Sequence, residues 1–96
     1  MELVIFARFH ARPGQEDVLV RALRDVVPPS RAEPGCLAIS AYRSVRDPLL
    51  FWIHSRWIDE AAFDRHAGLP HTRRFIATAE PLIDHPLDIT RATAFS

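Results

Sequence analysis

The chain has 96 residues, of which 48% are hydrophobic and 25% charged, and its twelve basic side chains are balanced by twelve acidic ones. A single domain spanning residues 1–96 of this size buries roughly 60 to 65% of the surface its unfolded form exposes, enough for one core. The composition excludes a disordered chain, and a formal net charge of zero excludes a global attraction to nucleic acid or anionic lipid.

Residues 3–10 open the chain as a strand: Leu3, Ile5, Ala7 and Phe9 alternate with Val4, Phe6, Arg8 and His10, and both faces are largely apolar. Pro13-Gly14 ends it. From Gln15 the period becomes helical, with Val18, Leu19, Ala22, Leu23, Val26 and Val27 on one stripe and Glu16, Asp17, Arg21, Arg24 and Asp25 opposite. Pro28-Pro29 is expected to stop a regular helix, because proline lacks a donor and restricts the residue before it, with at most a kinked final turn over residues 30–32. Glu33-Pro34-Gly35-Cys36 reads as a turn into a second strand over residues 37–43. Ser44 to Pro48, with Asp47-Pro48, reads as a hairpin into a third strand over residues 49–57.

Asp59 suits an N-cap, and Ala61, Ala62, Phe63 and His66 follow at helical spacing until Gly68 and Pro70 interrupt. A second helical piece starts near Pro70 and ends by Pro81; residues 82–86 read as a loop, and a last strand over residues 87–94 has the mixed faces of an edge. The order is β-α-β-β-α-β, the split ferredoxin-like plan of the α+β class with a four-stranded antiparallel sheet. Val4, Phe6, Phe51, Trp52 and Ile53 cannot all point to one side of their strands, so the sheet face away from the helices also carries large apolar groups. Such a patch predicts a homodimer through the sheet face.

The single cysteine, Cys36, has no disulfide partner and is expected to be a small structural residue of a reducing, cytoplasmic setting. No stretch of about 18 apolar residues occurs, and the N-terminus lacks a basic region followed by an apolar run, so neither a membrane span nor a leader is expected.

Several of these features are spaced alike in one known family. The Pro-Gly after strand one, Glu33-Pro34-Gly35-Cys36, Asp47-Pro48, then Phe51, Trp57, Asp59, Ala62, Phe63, His66 and Pro70-His71 resemble the antibiotic biosynthesis monooxygenase domains, small proteins of the dimeric α+β barrel type. The resemblance implies a ferredoxin-like fold, a homodimer, and oxygenation of an aromatic or quinol-type small molecule with no metal or flavin cofactor. The family often carries a glutamate two residues before the tryptophan, where this chain has Ser55. A related haem-cleaving branch uses an asparagine on strand one, where this chain has Ala7, which argues against haem degradation.

Residue chemistry narrows the candidates. His66 and His71 are the side chains of this stretch that exchange protons near neutral pH, and either could be a catalytic base. Trp57 and Phe63 could wall a substrate pocket, with Phe51 behind them and Arg74 binding an anionic group. Each also has a plainer reading: Trp57 as a core aromatic, His66 bonded across the Gly68–Pro70 break, His71 in a first helical turn, Arg73 and Arg74 as a solvated face. No metal site is expected, since His66 and His71 are five apart across a proline and His10, His54 and His85 are scattered. The competing functional class is a non-catalytic dimeric domain that binds small hydrophobic ligands.

Overall fold

A computed structural model describes residues 1–96. The elements are β1 (Leu3–His10), α1 (Glu16–Arg31), β2 (Cys36–Arg43), β3 (Leu50–Trp57), α2 (Glu60–Gly68), α3 (Pro70–Ala79), a 3-10 turn (Glu80–Leu82) and β4 (Asp88–Ala92). The strands form one sheet in the order β2-β3-β1-β4 with every neighbouring pair antiparallel, which is the ferredoxin-like arrangement expected from the sequence. No helix is long and apolar enough to cross a membrane.

Alternation decides which face of each strand is covered. Ile5, Ala7 and Phe9 of β1 and Phe51 and Ile53 of β3 are buried under the helices, while Phe6 and Trp52 point the other way and stay 46% and 37% exposed. Under the helices the apolar residues form two clusters. The larger runs from Phe9 and Phe51 to Leu19, Leu23 and Phe75, with Phe9 and Phe75 edge-on at 5.6 Å between ring centroids. The smaller gathers Leu3, Ile5, Trp57, Ala62 and Phe63. Full burial of one such side chain contributes roughly 1.5–3 kcal/mol, so the larger cluster is the main source of stability.

One expectation is corrected: α1 continues through Pro28 and Pro29 to Arg31. The missing N–H groups leave the carbonyls of Arg24 and Asp25 without their helical partners, but both residues are exposed and water can serve them. Beyond the prolines the buried Ser30 donates its hydroxyl to the Val26 carbonyl at 2.7 Å, and Ala32 N–H donates to Pro28 O at 3.2 Å. Arg31 then donates to the Ile39 carbonyl at 2.7 Å, tying the helix end to β2.

The turn after α1 spans residues 32–35. Gly35 lies so close to α2 that a Cβ on it would overlap the Cβ of Ala62, and Ile58 N–H donates to Gly35 O at 3.0 Å. Asp59 caps α2 as expected, accepting from Ala62 N–H at 2.8 Å. Backbone contact between the Gly35 turn and α2 brings Glu33 beside the residue one helical turn after Ala62, which is His66.

Candidate active site

Three side chains from separate segments converge here. Glu33 follows the end of α1, His66 occupies the last turn of α2, and His71 is the second residue of α3. Pro70 at the start of α3 needs no N–H partner, so the chain can break after Gly68 and turn both helix ends inward. Glu33 Oε2 lies 2.7 Å from His66 Nδ1 and 2.7 Å from His71 Nε2. The Glu33 and His66 side chains are each 10% exposed and that of His71 20%.

Because an ionised carboxylate can only accept, the geometry assigns the ring protons: His66 carries one on Nδ1 and His71 one on Nε2. In the neutral ring, His66 Nε2 is then the nitrogen with a free lone pair. Thr72, buried, places its hydroxyl oxygen 3.2 Å from the same His66 Nδ1. Aromatic packing restrains the imidazole further, with Trp57 at 4.5 Å and Phe63 at 5.6 Å between ring centroids.

His66 and Phe63 also form part of the wall of a cavity of about 260 Å³ between the sheet and the helices. Ile5, Ala7 and Ile53 make its floor, Phe75 and Ile76 its far side, and Ile89 and Arg91 of the edge strand its outer side. Apolar lining with a few convergent polar groups is the usual make-up of a small-molecule site. Arg91 lies across Phe63, its guanidinium carbon 5.0 Å from the ring centroid, and donates to Asp64 at 2.8 Å and Glu60 at 3.5 Å. Those contacts raise its pKa, the Asp64 hydrogen bond foremost, so it stays a cation.

The other sequence candidates lie elsewhere. Trp57 is fully buried behind His66 and does not line the cavity; its indole N–H donates to Ser55 Oγ at 3.0 Å and so is taken. Ser55 is itself buried and serves that indole. Phe51 sits in the larger core cluster, beneath the Arg43 guanidinium at 5.0 Å. Arg74 faces a separate surface groove between α1 and α3, which His71 also borders. Cys36 is half-buried, and burial pushes its thiol pKa up, with the Glu33 charge adding to the effect.

Glu33, Thr72 and Arg91 are not among the candidate site residues that the sequence offers, although Glu33 belongs to the Glu33-Pro34-Gly35-Cys36 turn. Glu33 had one local signal, an acid directly before Pro34-Gly35, but its partners are 33 and 38 positions away.

Comparison with known proteins agrees with this architecture. A family model described as antibiotic biosynthesis monooxygenase matches residues 3–78. The Mycobacterium tuberculosis protein Rv0793 is 31% identical over 88 residues, covering 92% of this chain and 86% of that one. Its solved structure superposes with a TM-score of 0.94 at 27% identity over 100% of this chain and 97% of that one. The crystal structure of PA3566 from Pseudomonas aeruginosa is similar at 35% identity, with a TM-score of 0.91 over 99% of this chain and 95% of that one. A Synechocystis protein, sll1783, is 25% identical over 87 residues; the match covers 91% of this chain and 59% of that longer protein.

Proposed function

The chain belongs to the antibiotic biosynthesis monooxygenase family, and we propose that it oxygenates an aromatic or quinol-type small molecule without a bound cofactor. The observation that carries this reading is the Glu33–His66 contact at 2.7 Å in the wall of the cavity. Glu33 holds the His66 proton on Nδ1 and leaves Nε2 as a base. Its volume of about 260 Å³ suits a molecule of one or two rings.

His66 Nε2 takes the proton of a ring hydroxyl, and Glu33 stabilises the imidazolium that forms. The resulting anion is electron-rich enough to pass one electron to dioxygen. Recombination of the two radicals forms a carbon–oxygen bond, and His66 returns its proton to the peroxide. Loss of the adjacent C–H proton then expels water across the O–O bond and leaves a new carbonyl. One oxygen atom stays on the substrate, the other leaves as water, and the substrate supplies all the electrons. The protein's share is positioning, exclusion of water and one proton shuttle.

A second copy of the chain is the proposed partner. Phe6, Trp52 and Tyr42 lie on the sheet face opposite the helices, 46%, 37% and 52% exposed; Tyr42 and Trp52 are paired across β2 and β3. Self-association would remove this patch from water. No nucleic-acid or membrane partner is proposed, and the cytoplasm remains the proposed setting. The mostly apolar cavity lining also fits a non-catalytic carrier of hydrophobic molecules. Oxygen uptake by metal-stripped protein against a panel of quinols and polyphenols, with product masses, separates the two. Uptake with a product one oxygen atom heavier and two hydrogen atoms lighter than the substrate supports the monooxygenase, and ligand binding without uptake supports the carrier.

A further inference from the structure

We propose that Glu33, His66 and His71 also form a binding site for a divalent transition-metal ion of the zinc class, and that occupancy switches off the base. The inhibitory half rests on the catalytic reading above; the binding half does not. One ligand atom from each residue, the Glu33 oxygen and an imidazole nitrogen from each histidine, lies within 4.8 Å of the other two. They come from three chain segments and are sheltered by the surrounding packing.

The fit can be tested against coordination geometry. With metal–ligand distances of about 2.0–2.1 Å, tetrahedral neighbours lie about 3.3 Å apart, so each 2.7 Å contact must open by about 0.6 Å. Rotation of the Glu33 side chain opens those contacts, and the two imidazole nitrogens, which lie within 4.8 Å of each other, must close to the same distance of about 3.3 Å. In such a site two imidazole rings hold their centroids about 5 Å apart, and those of His66 and His71 are at 6.0 Å. Two imidazoles and one carboxylate favour zinc-like ions over magnesium or calcium, which prefer all-oxygen shells. Three protein ligands leave a further position for water.

Metal binding has a specific consequence for His66. An ion on Nδ1 takes the lone pair there, so the ring proton must sit on Nε2. Nε2 changes from acceptor to donor. The atom that takes the substrate proton in the metal-free protein can no longer do so, and the ion also holds the Glu33 carboxylate that set the original tautomer.

The test is calorimetric titration of untagged, metal-stripped protein with zinc chloride, with magnesium chloride as control, alongside ring ¹⁵N NMR of the histidines. Expected are one zinc per chain at micromolar affinity or tighter, no magnesium binding, and a change of His66 from the Nδ1–H to the Nε2–H form. Glu33→Gln and His71→Ala should each weaken binding by more than about 100-fold, since loss of a direct ligand costs at least as much as loss of its outer support. His71→Ala is the safer of the two, because His71 is the most exposed member. His10→Ala removes the other histidine–carboxylate cluster and should leave zinc binding unchanged. Absence of zinc binding, or binding lost in His10→Ala and kept in His71→Ala, overturns the proposal. Oxygen uptake measured on the same samples keeps the two readings apart. Zinc binding through these residues without uptake from any substrate sinks the catalytic reading alone, and uptake unaffected by saturating zinc sinks the switch.

Discussion

Glu33 Oε2 lies 2.7 Å from His66 Nδ1 across 33 positions of sequence, and that contact holds the ring proton on Nδ1, the tautomer that the proposed base requires. Glutamine in its place can offer either a carbonyl or an amide to Nδ1, so the tautomer is no longer fixed. Glu33→Gln should lower turnover about 10² to 10⁴-fold, the range a positioned base contributes, with little change in KM. Ring ¹⁵N shifts should show His66 moving to a mixed or Nε2–H form. A purely structural role would lower the melting temperature while leaving the turnover of the folded protein unchanged.

Gly35 should tolerate no side chain. Gly35→Ala drives a methyl group into Ala62, and overpacking of this kind costs about 1–3 kcal/mol. Denaturant unfolding should register that loss, and activity should fall with it because the same contact sets the Glu33–His66 distance. Unchanged stability would mean the turn can lift away from α2.

How much of this was legible in the sequence follows from the range of each interaction. The first three strands, the Asp59 cap and the break at Gly68–Pro70 are set by alternation and neighbouring residues and stand within a residue of where the sequence places them, while β4 covers only Asp88–Ala92 of the expected 87–94. Continuation of α1 through Pro28-Pro29 was not legible, because it depends on a buried Ser30 hydroxyl returning a hydrogen bond to Val26. Glu33 reads locally as a turn residue, and only the packing of Gly35 on Ala62 brings it to the histidines. Trp57, a candidate pocket wall from sequence, has its indole N–H taken two residues away by Ser55.

His10 gives the stability a pH dependence at the far end of the sheet. Its Nδ1 lies 2.8 Å from Asp84 and its Nε2 3.1 Å from Asp47, joining β1, the β2–β3 hairpin and the segment before β4; its backbone N–H donates to His85 Nε2 at 2.8 Å. Arg8 and Arg12 are the nearby cations acting on the two carboxylates. The Asp84 hydrogen bond, with Asp47 adding and burial opposing, raises the His10 pKa. The Asp84 pKa is lowered chiefly by His10, and that of Asp47 by the Leu49 backbone N–H and then His10.

A raised histidine pKa stabilises fully below the unfolded value of about 6.5 and is lost as pH rises through the folded value; lowered carboxylate pKa values stabilise above about 3.9 and are lost as pH falls through the folded values. The difference in melting temperature between wild type and His10→Ala should therefore peak in mildly acidic buffer and shrink toward alkaline pH. A difference independent of pH would contradict the charged clamp.

Cys36 should be chemically quiet, because burial and the Glu33 charge raise its pKa and leave little thiolate at neutral pH. Alkylation in the native state should be much slower than after unfolding, and Cys36→Ala should keep full turnover. Loss of turnover at unchanged stability would give the thiol a chemical role.

Trp52→Glu should separate the proposed homodimer, by setting a charge in the apolar patch with Phe6 and Tyr42. Sedimentation at micromolar concentration should show a dimer for the wild type and a folded monomer for the variant. A wild-type monomer would remove the proposed interface.

Whether His66 takes the substrate's proton is decided by oxygen uptake of metal-free wild type and His66→Ala, with thermal melts on the same samples. His66→Ala should lose about 10² to 10⁴-fold in turnover while remaining folded. Full turnover in folded His66→Ala would contradict the account.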